Sequence, residues 1–309
     1  MAQEGEGASG VSVSGRVLRG GRDTIPVAGT WVVLHHITRD GGGPLDSTRT
    51  TSRGRYRLPI RQVDTIGVYV VSAWYDSLAY FSLPLNVIGR PAVHVEDIVT
   101  YATTVGEPPI RLARRLITVA GAGTSGDREV LEILELENTG ATTRITRDTM
   151  IATWAGRIPE GVANPQEGQG DLSPDAIVFR NDSVHVVGPI PPGPLKQLSY
   201  GYTVSHAVRT FTVPIDQATV ELNLLVEDTT AAVTAPQLEA LGVQELEGRR
   251  FAAYRAGPLA AGDAVTIALP RGAFRAQMLV PYVIALLAVV MVGALVWALK
   301  KRPSQPRLS

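Results

Sequence analysis

The sequence predicts an all-β protein, made of two tandem β-sandwich domains followed by one C-terminal transmembrane α-helix. Three observations carry this prediction: 31 glycines and 21 prolines spread over 309 residues, short apolar stretches that alternate at period two, and one long uncharged run near the C-terminus. Glycine and proline at this density favour many short strands and turns over a helical bundle. The length allows about two domains of roughly 150 residues each.

The composition excludes some classes of function and indicates the kind of source organism. The formal net charge is zero and the basic residues are scattered, so the chain carries no nucleic-acid footprint. Only three of the 29 basic residues are lysine, a bias that indicates a GC-rich bacterial genome. The absence of cysteine excludes disulfides, thiolate metal ligands and cysteine nucleophiles.

The first domain is expected at residues 11–106, after a flexible N-terminal segment of residues 1–10 that is rich in glycine. Val11, Val13 and Val17 alternate at period two, as in a half-buried strand. Further strands are predicted at residues 30–34, 55–58 and 68–75, whereas the Gly-Gly-Gly-Pro sequence at 41–44 is expected to break the chain. Several short strands between turn signals predict a sandwich.

Three blocks in this region occur in a recognisable order: Val13-x-Gly15-x-Val17, then Pro26-Val27-x-Gly29-x-x-Val32-x-Leu34, then Thr50-x-x-x-Gly54-x-Tyr56-x-Leu58. Residues 11–90 thereby resemble the carboxypeptidase regulatory-like domain. The resemblance implies a transthyretin-like (prealbumin-like) β-sandwich and an accessory module for folding, adhesion or docking. It implies no peptidase activity, because the catalytic domain of those enzymes has a different fold and its paired His and Glu zinc motif is absent here. Thr51 departs from the family, in which an acidic residue is common at this position.

A second, membrane-proximal β-sandwich domain is expected at residues 110–272, with Glu107-Pro108-Pro109 as the hinge. Residues 129–137 fit either a helix face or a strand, and we favour a strand because Asn138-Thr139-Gly140 follows as a turn. The other predicted strands are residues 93–104, 116–120, 176–180, 197–204, 209–213, 219–226, 252–256 and 264–269.

One stretch of the second domain, residues 155–175, is long, polar and without periodicity, and is expected to be unstructured. A mobile loop and a binding loop both remain open interpretations. The candidate interaction residues are Arg157, Glu160, Asn164, Gln166 and Asp171.

The sequence carries no recognisable catalytic constellation. His35 and His36 are neighbours in a predicted strand, so their side chains point to opposite faces and do not share one metal. No G-x-S-x-G elbow, P-loop or H-E-x-x-H sequence occurs. The glycine-rich residues 121–126 are expected to form a hairpin loop rather than a phosphate cradle, because no lysine follows them and no βαβ unit surrounds them. The four acids Glu129, Glu132, Glu135 and Glu137 are interpreted as a solvated edge rather than a cation site. We therefore predict no enzyme, no cofactor, no metal and no small-molecule substrate.

Residues 278–299 form an uncharged run of 22 residues, which as a helix is about 33 Å long and spans a bilayer core. Tyr282 and Trp297 lie near its two ends, where aromatic rings prefer the headgroup level. Gly293, Ala294 and Ala298 form a small-residue face for close helix contact. The basic residues that follow are Lys300, Lys301 and Arg302.

These basic residues predict the orientation. The heavier basic flank stays on the cytoplasmic side, so residues 300–309 are expected to be a short cytoplasmic tail and the sandwiches to lie in the periplasm, on the inner membrane. Residues 1–10 contain no apolar stretch that could serve as an export signal. Two explanations stay open: a signal peptide has been removed, which this orientation requires, or the protein is tail-anchored.

Three functional hypotheses follow. The leading one is a non-catalytic, membrane-anchored scaffold that stabilises a larger membrane complex, with photosynthetic and respiratory assemblies as candidate hosts. Its partners would be the lipid bilayer and the other subunits. The alternative is a tethered module that binds a ligand or carbohydrate, which requires exposed aromatics among Trp31, Trp74 and Trp154, although their apolar contexts predict burial. The third is a hydrolase whose site is assembled from residues far apart in sequence.

Overall fold

The computed structural model describes residues 10–21, 23–107 and 109–270, and these residues are folded almost entirely as strands. The only helical element within them is one turn of 3-10 helix at Pro174–Ala176. None of the helices in these ranges is long and apolar enough to cross a membrane. The predicted membrane helix at 278–299, with all its anchor residues, lies outside the described residues.

The first sandwich consists of nine strands. They are β1 (Val11–Arg19), β2 (Ile25–Pro26), β3 (Trp31–Thr38), β4 (Gly41–Arg49), β5 (Arg55–Ile60), β6 (Val68–Tyr75), β7 (Leu78–Phe81), β8 (Ala92–His94) and β9 (Ile98–Thr100). One sheet has the order β2-β1-β5, with β8 and β9 added in parallel to β1, and the other has the order β4-β3-β6-β7. Their inner faces enclose one core, which includes Val13, Leu34, Leu58 and Val71.

The second sandwich contains the remaining strands. They are β10 (Thr103–Val105), β11 (Ile110–Val119), β12 (Arg128–Asn138), β13 (Thr143–Ile145), β14 (Trp154–Arg157), β15 (Ala163–Glu167), β16 (Ile177–Arg180), β17 (Ser183–Val186), β18 (Lys196–Val204), β19 (Thr210–Pro214), β20 (Thr219–Val226), β21 (Ala232–Thr234), β22 (Glu239–Leu246), β23 (Arg249–Ala256) and β24 (Ala264–Ala268). A seven-stranded sheet of order β15-β18-β12-β11-β20-β23-β22 packs on two three-stranded sheets, β14-β17-β16 and β19-β24-β21. A core separate from the first one lies between them and includes Ile117, Leu134 and Leu222.

The ambiguous segment at 129–137 is a strand, as predicted. It forms β12, which pairs antiparallel with both β11 and β18 at the centre of the seven-stranded sheet. The glycine-rich sequence between Val119 and Arg128 is the loop of the β11–β12 hairpin. Tertiary pairing on both sides therefore resolves what the helix-like spacing of the acids left open.

Two predictions of irregular structure were wrong. The glycines at 41–43 do not interrupt the strands. They are the first residues of β4 and pair with His36, Ile37 and Thr38 of β3. The segment 155–175 is not one unstructured loop, since it contains the end of β14, the whole of β15 and the start of the 3-10 turn. In both places a neighbouring strand supplies the hydrogen bonds, and pairing outweighs weak local propensity.

Candidate binding surfaces and the interdomain cleft

The outer face of the β4-β3-β6-β7 sheet carries a group of exposed apolar side chains. Val32 and Ala73 pair across β3 and β6 and point into the core, so the adjacent Trp31 and Trp74 point outward. These two tryptophans retain 47% and 49% of their accessible surface. We call this surface the aromatic face. Its exposed apolar members are Trp31, Ile37, Val68, Trp74 and Phe81, and the half-buried His35 lies among them.

A cation–π contact orients the ring of Trp31, and a hydrogen bond ties the backbone at Trp74. The guanidinium of Arg49 lies 4.4 Å from the ring centroid of Trp31 and donates a hydrogen bond of 2.7 Å to the carbonyl of Gly29. The hydroxyl of Thr30 donates to the carbonyl of Trp74. Because a cation over an indole ring is attracted to its face, Arg49 both orients Trp31 and adds the positive charge at this edge.

The centre of the aromatic face is tightly packed and uncharged. Ser72 is only 1% exposed although it points outward, and its hydroxyl lies 2.8 Å from Nε2 of His35. The rings of His35 and Phe81 are 6.0 Å apart. Burial lowers the pKa of His35, so its imidazole is neutral at physiological pH. A partner that covers this centre would therefore not have to desolvate a charge.

The expectation that all three tryptophans are buried was wrong for two of them. Trp154 is buried at 5% exposure, and its indole N–H donates to Oε1 of Gln217 at 2.8 Å. Trp31 and Trp74 lie in apolar stretches too, but period-two alternation places them on the outward side of their strands. Their exposure follows from which face of the sheet the sandwich covers.

A cleft of about 900 Å³ separates the first sandwich from the loops of the second. On the side of the first sandwich it is lined by β7 and by the β8–β9 region, including Tyr80 and Tyr101. The opposite wall contains Asp171 and the proline-rich segment 189–194. Clefts between domains are common positions for ligand sites, but the described walls combine apolar groups with charges of both signs and do not select one ligand class.

The five candidate interaction residues do not form one surface loop. Arg157 ends β14, where its backbone N–H donates to Asp216 at 2.8 Å and its guanidinium contacts Asp182 at 3.1 Å. Asn164 and Gln166 lie in the edge strand β15, and Asn164 has a positive φ of 52° beside a register shift. Their role as an interaction site stays a prediction.

The other two candidates are placed differently. The carboxylate of Glu160 is largely exposed, 4.0 Å from Arg157. Asp171 lines the cleft, but its carboxylate accepts the backbone N–H of Gln197 at 3.0 Å and so ties the segment to β18.

A buried ionic cluster lies in the core of the second sandwich, and sequence reasoning missed it. Glu132 is completely buried, and its carboxylate contacts Arg115 Nη2 at 2.6 Å. The hydroxyls of Tyr200 and Tyr202 donate to the same carboxylate at 3.1 and 2.8 Å. Of the four acids interpreted as a solvated edge, Glu132 thus contradicts that interpretation, because it occupies an inward position of β12.

Electrostatics stabilise the charged guanidinium and the neutral tyrosine hydroxyls of this cluster. Burial opposes the charge of Arg115, but the adjacent carboxylate of Glu132 outweighs it, so the pKa of the guanidinium is raised. Burial, followed by the Glu132 charge, raises the pKa of both tyrosine hydroxyls well above the ordinary value. Arg115 also donates to the carbonyl of Pro214 on the facing sheet at 3.0 Å. The cluster therefore joins the two layers of the sandwich.

A Ser, an Asp and a His come together at the β11–β12 hairpin without the geometry of a catalytic triad. Asp127 Oδ1 lies 3.0 Å from Nδ1 of His206 and also accepts the backbone N–H of His206 at 2.8 Å. The hydroxyl of Ser125 accepts the backbone N–H of Asp127 at 3.3 Å rather than donating to the imidazole. The pKa of Asp127 is lowered, mainly by the backbone N–H of His206. This arrangement fits a cap on the hairpin loop.

The comparisons with known proteins assign no family. No family model matches the chain, and no curated protein matches it. Solved structures with remote similarity include an M1 zinc metallopeptidase from Deinococcus radiodurans, at 9% identity and a TM-score of 0.35. That match covers 52% of this chain and 42% of the metallopeptidase, so the chain spans less than half of its length.

Two further solved structures show remote similarity. The Corynebacterium diphtheriae major pilin SpaA matches at 12% identity and a TM-score of 0.24, over 84% of each chain. A DUF3823 family protein from Parabacteroides merdae matches at 10% identity and a TM-score of 0.22, over 67% of this chain and 90% of that one. At these scores the matches carry no argument about the fold, and the β-sandwich class rests on the chain's own sheets and cores.

Proposed function

We propose that this chain is a non-catalytic, membrane-anchored accessory subunit that docks on a larger membrane complex through the aromatic face of its first sandwich. Both sandwiches would pack on the periplasmic side of the complex, and the helix at 278–299 would pack within the bilayer. The observation that carries the proposal is the exposure of Trp31 and Trp74 side by side on one sheet face.

The composition of the aromatic face supports a protein partner. Large exposed apolar patches mark interaction sites, and tryptophan, phenylalanine and arginine are enriched at protein interfaces. Ile37 and Val68 are 45% and 41% exposed at the end of the face away from the tryptophans, and they extend the apolar area along two strands. Arg49 at the edge supplies the polar rim that such interfaces have.

Mild detergent extraction of the full chain, followed by native sizing, tests the proposal. Wild type is expected to migrate with its partner, and the double variant Trp31→Ala, Trp74→Ala is expected to migrate alone. Removal of one interface tryptophan costs about 2 kcal/mol, or roughly 30-fold in Kd, so two removals are sufficient to dissociate a micromolar complex during sizing.

The matched control is Met150→Ala, Ile151→Ala, which removes two exposed apolar side chains from the second sandwich. This variant is expected to retain the partner. The proposal fails if wild type is a monomer after extraction, or if the tryptophan variant keeps its partner while its melting temperature matches that of wild type. Cleavage of the sandwiches by protease added to spheroplasts tests the periplasmic placement separately.

A second candidate function is favoured by the same tryptophan pair. Two adjacent, exposed indole rings on one sheet face form a platform on which sugar rings of a cell-wall polymer can stack, and Arg49 is a hydrogen-bond donor beside them. Val68→Glu distinguishes the two candidates because it places a charge on the apolar end of the face and leaves both rings in place. If Val68→Glu loses the protein partner but still binds insoluble polymer, docking and sugar binding are separate activities. If this variant keeps the partner, docking at that end of the aromatic face is excluded.

A further inference from the structure

The segment that joins the two sandwiches is itself part of the second one. After β9 ends at Thr100, the short strand β10 pairs in parallel with β13. The backbone N–H of Thr143 donates to the carbonyl of Ala102 at 2.8 Å, which extends this pairing by one residue. From Ala102 to Val105 the connection is therefore a strand with a defined neighbour rather than a free linker.

The first sandwich holds the same segment from the other side. The carboxylate of Asp76 accepts both the backbone N–H and the hydroxyl of Thr103, at 2.5 and 2.9 Å. The hydroxyl of Tyr80 donates to the carbonyl of Tyr101 at 2.8 Å and lies 2.8 Å from the hydroxyl of Thr143. Thr143 is fully buried, so this contact closes the joint against solvent.

The turn that presents Asp76 has an unusual backbone. Tyr75 pairs with Leu78, which leaves Asp76 and Ser77 as a two-residue hairpin loop. Their φ values are 46° and 68°, in the left-handed region that serine adopts at a cost. Asn-Gly and Asp-Gly are the sequences that suit such a turn best. The turn therefore accepts an acid at position 76, and that acid is the group bonded to Thr103.

We infer that Asp76 and Tyr80 form a latch that locks the first sandwich onto the β10–β13 pair, so that the two sandwiches behave as one rigid body until the latch is released. The joint is also a wall of the cleft, because Tyr80, Tyr101 and Thr143 line it. Release of the latch changes the width of the cleft and the orientation of the aromatic face relative to the second sandwich. This property goes beyond docking and holds whether or not the aromatic face binds a partner.

The absence of cysteine makes a direct test practical, since two cysteines introduced for spin labels have no competitors. Arg57→Cys on β5 and Val220→Cys on β20 place one label on an exposed site of each sandwich. Pulsed electron paramagnetic resonance on the full-length chain in detergent then gives the distribution of distances between the labels. Wild type is expected to give one narrow distribution, and Asp76→Asn, Tyr80→Phe one at least twice as wide.

Ser77→Gly is the matched control, because it relieves the backbone of the same turn and leaves both latch side chains in place. Its distribution is expected to equal that of wild type. An unchanged width in the double variant overturns the latch, as does a width in wild type equal to that of the double variant.

Hydrogen exchange at the Thr103 amide gives a second measurement that does not depend on the labels. Asp76→Asn keeps the shape of the side chain and suits the turn, but it replaces a charged acceptor by a neutral amide. Exchange at Thr103 is expected to become about tenfold faster, because hydrogen bonds to charged groups are the stronger ones. Equal exchange rates in Asp76→Asn and wild type contradict the latch even where the double variant fails to fold.

Discussion

Glu132 shows how strongly one residue can depend on its surroundings. Its carboxylate is fully buried and is compensated by one guanidinium and two tyrosine hydroxyls. The pair that it forms with Arg115 spans neighbouring strands, and Arg115 continues to the facing sheet through Pro214. Such a pair adds little net stability over an apolar core, but removal of one partner leaves the other charge buried and unpaired.

We therefore predict that Glu132→Gln lowers the free energy of unfolding by about 3–5 kcal/mol, because Arg115 keeps its charge and loses its counterion. Chemical denaturation followed by circular dichroism measures the change. Glu135→Gln on the same strand is the control, since the Arg114–Glu135 pair at 2.6 Å is partly exposed. That control is expected to cost only about 0–1 kcal/mol, and equal losses in the two variants would contradict the prediction.

The sequence contained part of the signal for Glu132. Val130, Leu134 and Leu136 alternate with more exposed positions, and period two puts Glu132 on their side of β12. What it did not show was a partner for the charge, because Arg115 lies 17 residues away and Tyr200 lies 68 residues away. Only the pairing of β11, β12 and β18 brings these groups to one point.

At the scale of the element, Gly54 shows why the turn before β5 requires glycine. It lies in the turn before β5 with a φ of 72°, and a Cβ at this position would come within 2.5 Å of the carbonyl oxygen of Val17. The same turn is closed by hydrogen bonds from Val17 to Gly54 and from Gly54 to Thr51. Both the backbone angle and the close approach of β1 require glycine here.

Gly54→Ala is accordingly predicted to destabilise the first sandwich by about 1–3 kcal/mol, because the added methyl meets backbone that cannot move aside. Gly43→Ala on β4 is the control. Gly43 has no atom near the position of a Cβ and an ordinary φ. Its substitution is expected to change stability by less than about 1 kcal/mol in either direction. Thermal unfolding of both variants measures these changes. A larger loss of stability in Gly43→Ala than in Gly54→Ala would contradict the prediction.

Element prediction from sequence worked where alternation was strong and failed where composition misled. β6 was predicted at its observed bounds, and β12 was assigned correctly, because both have apolar residues on the inward side. β4 was missed since three glycines and a proline favour a turn, and β22 was missed since every one of its residues is exposed. Those strands exist because a neighbouring strand pairs with them, which local composition does not encode.

At the scale of the whole molecule, the joint between the sandwiches sets their relative orientation. The carboxylate of Asp76 makes this joint sensitive to acid. Hydrogen bonds from the backbone and the hydroxyl of Thr103 lower the pKa of Asp76, burial opposes this shift, and the positive charge of Arg147 adds to it. Tyr80 also faces the carboxylate, whose charge raises the pKa of the Tyr80 hydroxyl after the larger effect of burial. A depressed pKa means that the charged form is the one that stabilises the joint.

The lowered pKa of Asp76 sets the direction in which the joint responds to pH. The contribution of Asp76 is complete above the ordinary carboxyl pKa of about 4 and is lost as the pH falls through the lower value of the folded protein. We predict that the distance distribution between labels at positions 57 and 220 is the same from pH 8 to pH 5 and broadens as the pH falls below the ordinary carboxyl pKa of about 4. Asp76→Asn is expected to show no such transition, so a broadening of equal size in this variant would assign the effect to other groups.

The sequence by itself determined that the chain is built from β-strands in sandwiches, because side-chain alternation and turn residues are local properties. It also predicts a membrane helix at 278–299 from length and hydropathy alone. Only the tertiary structure decided which tryptophans are exposed, which glutamate is buried, and how Asp76 meets Thr103. These depend on which sheet face is covered and which distant strands pair, and both are fixed by contacts between residues far apart in the chain.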